Sequence, residues 1–291
     1  MKNTFPPSLP KLAMEDAVRA ALVEDLGRAG DITTNATIAP DATATAVMAS
    51  RENGTVAGMA LAQTAFRLMD ASLVFDARVK DGDQVGPGDV LAEISGNARA
   101  ILSAERVALN FLMRMCGIAS YTASFAAKIA HTKARVCDTR KTVPGHRAFD
   151  KYAVACGGGS NHRFGLDDAI LIKDNHIAVS GGVAQAVHNA RAYVGHMVKI
   201  EIEVDRLDQM REALTAEPDV ILLDNMTLDQ LSEAVDINTQ DNGGRVKLEA
   251  SGNVNIDTIQ AISETGVDYI STSKITMAAP TLDVGLDVVI S

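Results

Sequence analysis

The sequence predicts an α/β chain in two parts: a β-rich N-terminal part with its own helices, then a parallel α/β barrel. Three observations predict it. Up to about residue 117, short alternating apolar runs are separated by Gly, Asp and Pro turns, as in Ala77–Gly96, ARVKDGDQVGPGDVLAEISG. From residue 134 onward, short apolar runs alternate with helical stretches, the pattern of parallel strands joined by right-handed crossovers. The length, 291 residues, suits one large or two ordinary domains, and a composition 47% hydrophobic and 22% charged can bury a real core.

Taken in order, the chain opens with a helix expected over Leu12–Leu26, and Gly30-Asp31-Ile32-Thr33-Thr34 reads as a loop. Ala44–Ala49 and Gly54–Met59 are short alternating runs. Residues 98–130 are helical in character. Ile101, Leu102, Val107, Leu109, Phe111, Leu112, Met113 and Met115 leave that helix little polar face, so it is expected to be covered, between domains or between subunits. Its Met residues read as packing rather than as a cofactor site.

Strands are then expected at Ala134–Thr139, Ala169–Lys173, Lys199–Val204, Val220–Asp224, Val246–Ser251 and Tyr269–Ser273. Helices are expected at Gly182–Tyr193, Leu207–Ala216 and Leu228–Asp236. Six strands fall short of the eight of a full barrel. Missed strands, an incomplete barrel or an open sheet would each account for this. A barrel is preferred, because the strand ends carry chemistry almost one after another.

Composition narrows the partners. The formal net charge is −10, no Lys/Arg-rich run offers a track for nucleic acid, and Trp is absent. Cys116, Cys137 and Cys156 form no C-x-x-C pair, which fits a reduced, cytoplasmic setting. The start lacks an apolar signal core, and no apolar run reaches membrane-spanning length, so neither export nor a membrane partner is expected.

Active sites of α/β barrels sit at the C-terminal ends of the strands. Here those ends read Asp138-Thr139-Arg140-Lys141, Lys173-Asp174-Asn175-His176, Glu201 to Asp205, Asp224-Asn225, Ser251-Gly252-Asn253 and Ser271-Thr272-Ser273. In KIEIEVD the period of two puts Ile200, Ile202 and Val204 on one face and Glu201, Glu203 and Asp205 on the other. The acids are then expected to point into the barrel mouth, Glu203 nearer the top. The alternative is that they form structural ion pairs, and for Glu201 neither reading is preferred. Between the first two strands lies the densest basic region: Arg140, Lys141, His146, Arg147, Lys151, His162, Arg163 and Lys173. In an acidic chain such a cluster suits a small, multiply anionic ligand. Gly157-Gly158-Gly159 would let backbone N–H groups approach that ligand, although flexible loops carry glycines too.

The stretch DTRKTVPGHRAFDKYAVACGGGSNHRFGLDDAILIKDNHI, Asp138–Ile177, resembles the signature of quinolinate phosphoribosyltransferases. IEIEVD, ILLDNM, LEASGN and TGVDYIS follow in order, and EDLGRAGDITT and ERVALNFLMRMCGIAS upstream look similar, so the resemblance covers nearly the whole chain. It implies an N-terminal open α/β sandwich domain (residues 1–117, joined by the tail 277–291) and an atypical incomplete α/β barrel (residues 118–276), in a homodimer or higher assembly. It implies phosphoribosyl transfer from phosphoribosyl pyrophosphate to quinolinate, with decarboxylation, in NAD biosynthesis, and Mg²⁺ as cofactor.

The resemblance also assigns residues. Arg140, His162, Arg163 and Lys173 would face the quinolinate carboxylates and the anionic groups beside them, and Thr139 would also bind substrate. Arg106 would come from the neighbouring subunit. Lys141 and Lys173 would lie near phosphate or pyrophosphate oxygens. Glu203 and Asp224 would face the ribose hydroxyls and the metal. Ser251, Gly252 and Asn253, with Thr272 and Ser273, would hold the 5-phosphate. Lys141, Lys173, Glu203 and Asp224 are the expected catalytic groups. One departure stands out: the family usually has Gly where this chain has Ser273.

Three other readings compete. Lys173 at a strand end would suit a Schiff-base aldolase. Residues 79–96 resemble biotinyl or lipoyl carrier domains, but Met-Lys-Met is absent and Lys80 reads as a surface residue. A paralogue acting on another anionic base is nearer, and the pairing of Asn161-His162-Arg163 with Lys173-Asp174-Asn175-His176 favours quinolinate.

Overall fold

The computed structural model describes residues 8–289. The chain forms two compact units: one takes the chain up to Ala123, Ala148–Gly158 and the chain from Ala279, and the other takes Ser124–Arg147 and Gly159–Ala278.

The first unit begins with helices α1 (Lys11–Leu26) and α2 (Ile32–Thr37), strands β1 (Thr43–Ser50) and β2 (Gly54–Thr55), and helix α3 (Met59–Met69). Strands β3 (Val74–Ala77), β4 (Gln84–Val85) and β5 (Val90–Asn97) then lead into helix α4 (Ala98–Lys128). The loop expected at Asp31–Thr34 is in fact a helix start. The Asp31 carboxylate accepts the Thr34 amide at 2.9 Å and the Ser103 hydroxyl at 3.0 Å, so a short polar segment holds helical form.

The apolar helix expected at 98–130 is α4. Within the single chain Val107, Ala108, Leu109, Phe111, Leu112 and Met115 are already buried. The cover expected for this helix is thus already present for these residues within the single chain. Close packing makes this possible. A Cβ on Gly117 would stand 1.9 Å from the Pro280 carbonyl oxygen, so only glycine lets the C-terminal segment pass.

The second unit contributes, in chain order with the elements returning to the first, β6 (Arg135–Cys137), α5 (Arg147–Cys156), β7 (Ile170–Ile172), α6 (Asp174–Ser180), α7 (Val183–Tyr193) and β8 (Ile200–Val204). Next come α8 (Leu207–Thr215), β9 (Val220–Asp224), α9 (Leu228–Asn242), β10 (Lys247–Ser251), α10 (Ile259–Glu264), β11 (Tyr269–Ser271), α11 (Lys274–Met277) and β12 (Val284–Val289). All six expected strands form. Helix α5 is not among the expected helices; its Arg147 and Lys151 read as members of the basic cluster suited to an anionic ligand. It joins the first unit instead: Asp150 accepts the Arg114 guanidinium at 2.8 Å, Phe149 meets Phe111 edge-on, and Lys151 is buried.

Two larger sheets organise the chain, besides the two-stranded pair β2-β4. The first unit holds an antiparallel sheet in the order β12-β1-β5-β3, so the C-terminal strand pairs with the first strand of the chain. The second holds a parallel sheet in the order β6-β11-β10-β9-β8-β7, and no bond joins β6 to β7 among the described residues. This sheet is curled. Ser160 bridges to Cys137 of β6, yet His162, two residues on, touches Glu201 of β8. In a flat sheet β8 would stand four strands from β6, roughly 19 Å away at about 4.8 Å per strand. Without a β6–β7 seam among the described residues, the six strands form an incomplete barrel, short of the eight of a closed one.

Candidate active site

Register sorts the parallel sheet into two faces. Glu203 stands opposite Leu222, Leu222 opposite Glu249, and Asp224 opposite Ser251. With side chains alternating every second residue, Glu201, Glu203, Leu222, Asp224, Glu249 and Ser251 share one face. Ile200, Ile202, Val204, Ile221, Leu223 and Leu248 share the other, and all are buried. The helix layer takes the apolar face and the concave face keeps the polar one. The expected split of KIEIEVD between two faces is the observed one.

Glu203 lies at the mouth of this face, where its carboxylate accepts the Lys173 ammonium at 2.6 Å. The Lys173 backbone is fixed as well: its N–H donates to Nδ1 of His176 at 2.9 Å, at the start of α6. One pleat further out on the next strand, Asp224 accepts the Asn225 side-chain amide at 2.8 Å. Asn225 has φ +55° and Asn253 φ +53°, left-handed conformations that Asn tolerates. A Cβ on Gly252 would meet the Asn225 backbone nitrogen at 3.0 Å, and the Asn225 amide donates to the Ser251 carbonyl at 2.9 Å. The ends of β9 and β10 thus interlock through Gly252. From the sequence, Gly252 and Asn253 carry a role but Asn225 reads only as a strand end, since its left-handed turn has no local pattern to announce it.

The cationic wall comes from the segments after β6 and before β7. Arg163 is partly buried and sends Nη1 to the Ala169 carbonyl at 3.2 Å. Burial first, and then the charge of Arg140, lower the Arg163 pKa, although an arginine in such a place stays charged. Among the described residues the Nε–H groups of both Arg140 and Arg163 are buried with no hydrogen-bond partner. Two like charges side by side, each with an orphaned buried donor, cost free energy unless an anion arrives to share them. Lys141 is exposed, with its amide on the Thr139 hydroxyl at 3.0 Å. The basic cluster is not wholly aimed at a ligand: Arg147 donates to Thr142 and to the Phe164 carbonyl, and Lys151 lies with the first unit. Gly157 too has a packing cause. Its Cβ would fall 2.3 Å from the Ala119 carbonyl oxygen, so this member of the triplet serves contact with α4.

Beneath the cations lies a buried acidic layer. Asp138 accepts the His162 amide at 2.9 Å and the Asn161 side chain at 2.6 Å. Nε2 of His162 stands 2.8 Å from Glu201 and 3.6 Å from Glu249, and both acids are buried. Burial, then the charge of Glu201, push the Glu249 carboxyl up to about 7. These three side chains are the group whose donor atoms lie within 4.8 Å of one another, among the described residues. The 2.8 Å contact is already a hydrogen bond, closed by a proton. Glu203 and Asp224, with hard oxygens on one face at the mouth, better suit a divalent cation such as Mg²⁺.

At the fourth corner Thr272 is buried and accepts the Lys274 amide at 3.2 Å. Ser273 has φ −79°, so the backbone there does not require the glycine usual in the resembling family. Arg106 lies in the first unit, exposed on α4.

Comparison with known proteins fits this geometry. Residues 31–116 match the family model "Quinolinate phosphoribosyl transferase, N-terminal domain", and residues 118–287 match its C-terminal domain. The chain belongs to the quinolinate phosphoribosyltransferase family. It is 39% identical over 280 residues to a probable carboxylating nicotinate-nucleotide pyrophosphorylase of Bacillus subtilis, spanning 96% of this chain and 95% of that one. It is 40% identical to the chloroplastic carboxylating enzyme of Arabidopsis thaliana, over 97% of this chain and 85% of that one. The solved nicotinate-nucleotide pyrophosphorylase of Francisella tularensis superposes with a TM-score of 0.92 at 38% identity, covering 98% of this chain and all of that one. Membership in this family displaces the aldolase and carrier readings, and Lys173 is half exposed and bonded to an acid, neither desolvated nor set beside a cation as an activated Schiff-base lysine is.

Proposed function

We infer that the concave face of the parallel sheet transfers the phosphoribosyl group of phosphoribosyl pyrophosphate to quinolinate, releasing pyrophosphate and carbon dioxide and leaving nicotinate mononucleotide. The observation that carries this is the pair of buried, unpartnered Nε donors on Arg140 and Arg163, close to Glu201 of the acidic layer, with the Lys173–Glu203 pair at the mouth of the same sheet face as Glu201. A ligand with two adjacent carboxylates meets that pair with two bidentate partners.

In this division of labour Arg140 and Arg163, with Thr139, hold quinolinate, and His162 stands behind Arg163. Lys141 and Lys173 hold the pyrophosphate oxygens, and Ser251, Gly252, Asn253, Thr272 and Ser273 enclose the 5-phosphate. Glu203 and Asp224 orient the ribose and would hold Mg²⁺, which when bound offsets the pyrophosphate charge. The bond from ribose C1 to pyrophosphate breaks and its electron pair leaves with the pyrophosphate. The positive charge left on the ribose is stabilised by Glu203 and Asp224. The pyridine nitrogen lone pair then forms the new bond to C1. Afterwards the carboxylate next to that nitrogen leaves as carbon dioxide, its bonding electrons pass into the pyridinium ring, and a proton from solvent takes its place.

Incubation with quinolinate, phosphoribosyl pyrophosphate and Mg²⁺ should yield nicotinate mononucleotide, and nicotinic acid in place of quinolinate should not. Turnover of nicotinic acid alone would assign a different enzyme. Glu203→Ala and Asp224→Ala should each lower the chemical rate ~10²-fold or more, with a smaller change in quinolinate affinity.

The reading includes a homodimer in which Arg106 enters the partner's site, supported by the exposure of this arginine beside the buried run Val107–Leu109 of α4. Arg106→Ala and Lys173→Ala, each nearly inactive alone, should regain about a quarter of normal activity when subunits exchange, by the combinatorics of a two-fold pair. Exchange confirmed by mass without recovery would place Arg106 in its own chain's service. A reduced cytoplasmic setting is supported by the three free cysteines, two of them buried. Among the described residues no helix is long and apolar enough to cross a membrane.

A further inference from the structure

The ring of His162 is held at both nitrogens by the protein. Nδ1 lies 2.7 Å from the amide nitrogen of Arg163, and Nε2 lies 2.8 Å from Oε2 of Glu201. A backbone amide can only donate, so Nδ1 must be bare and accepting. The ring proton is then on Nε2, pointed at Glu201. Glu249 backs the same ring edge at 3.6 Å. Asp138 grips the same segment from the other side through the His162 amide and the Asn161 side chain. The ring therefore bridges the buried acid on β8 to the backbone of the arginine whose guanidinium lines the cationic wall.

We propose that Glu201 is a positioning residue: by accepting the Nε2–H of His162 it fixes the ring so that Nδ1 receives the Arg163 amide, and this aims Arg163 at the quinolinate carboxylates. The proposal rests on the quinolinate reading for its substrate, and on the ring contacts alone for its geometry. His162 then serves the pocket through Arg163, its two nitrogens being engaged below and beside it. The His162 contact explains why an acid is tolerated at Glu201, between the buried Ile200 and Ile202. Its Oε2 has a fixed donor, and the cost of burying it is offset only while that donor stays in place.

Two variants separate positioning from plain structural support. Glu201→Gln keeps an oxygen that can accept the Nε2–H, and Glu201→Ala removes it. Glu201→Ala should raise the quinolinate KM at least about tenfold, as loss of a hydrogen bond to a charged group would, with the phosphoribosyl pyrophosphate KM held within about threefold. Glu201→Gln should restore the quinolinate KM to within about threefold of normal. If the Ala variant fails to fold, the Gln variant and the ring spectra still decide. Nitrogen NMR of the histidine rings in the full-length protein should show His162 with a bare Nδ1 and a protonated Nε2, retained in Glu201→Gln. A ring protonated at Nδ1 in the unmutated protein overturns the proposal, as does equal loss of affinity for both substrates in the Ala variant. Absence of any turnover with quinolinate would instead strike the substrate reading, while the ring spectra continue to test the positioning role by themselves.

Discussion

The two sheets place charge in opposite ways. On the antiparallel sheet the inward positions are apolar, with Ala46, Met48, Leu91 and Ile94 buried, and the charges lie outside. Arg78 there reaches Asp76 at 3.1 Å and Glu93 at 3.0 Å, with all three side chains about half exposed. On the parallel sheet the outward positions are apolar and the charges are enclosed: Glu201, Glu249 and, beside β6, Asp138 are buried. Water screens the first set, so its members are worth little individually. The second set has only its neighbours to balance it, so each contact matters. A sheet with one wet face can spend charge on solubility. A sheet covered by helices on its outer face and curled on its inner face has a single enclosed place for charge, and that place becomes the site.

Substitutions in the two regions should differ in kind as well as size. Gly117→Ala in the first unit should cost at least ~4 kcal/mol or prevent folding, because its Cβ would overlap the Pro280 carbonyl at 1.9 Å. Gly195→Ala in the second unit, where a Cβ meets nothing within 4 Å, should stay within ~0.5 kcal/mol of the parent. Denaturant melts of both would settle the pair, and a stable Gly117→Ala protein would mean that the C-terminal segment has another route.

Arg163→Ala should weaken quinolinate binding by roughly 2–5 kcal/mol, since it leaves a carboxylate underpaired in an enclosed place. Donor affinity should change much less. Arg78→Ala, by contrast, should alter stability by no more than ~1 kcal/mol despite two ion pairs of good length. Calorimetric titration of the first variant and a thermal melt of the second test the contrast. Equal loss of both ligands in Arg163→Ala counts against its assignment.

Asp31→Ala should cost about 1 kcal/mol, the ordinary value of a helix cap, with substrate affinities unchanged. A loss of several times that would show that the Ser103 contact ties α2 to α4 more strongly than a cap alone.

The smallest effect is also the one most specific to the enclosed face. Glu249 has its folded pKa raised by burial and by the Glu201 charge, while the neighbouring His162 and a Ser271 hydrogen bond oppose the rise and Asp138 adds to it. A carboxyl raised on folding contributes stability that is complete below its unfolded pKa and is lost as pH climbs through about 7. Glu249→Gln has no such loss. Its melting temperature relative to the parent should therefore rise between pH 5 and pH 8, and a difference independent of pH would show that Glu249 is charged throughout.

Much of this was legible in the chain itself. The period of two in KIEIEVD assigned Glu201 and Glu203 to the face opposite the isoleucines, because alternation is a property of any strand. The six strands and the long apolar helix were legible for the same reason: each announces itself through local periodicity. The segment Arg147–Cys156 was misread because basic residues near a ligand motif look alike whether they bind a ligand or pack a helix. The Asp150–Arg114 pair depends on a residue more than thirty positions away.

The sequence by itself determined the fold class, the family and the strand ends that carry polar residues, since these rest on local patterning and on motifs. Tertiary structure alone decided which charges meet. Curling of the parallel sheet brings His162, beyond one edge strand, onto Glu201 and Glu249 on strands that follow much later in the chain. It also leaves Nε of Arg140 and Arg163 enclosed without a partner. Neither fact has a local signal, because burial and pairing depend on which strands become neighbours, and that is set by the closure of the whole sheet.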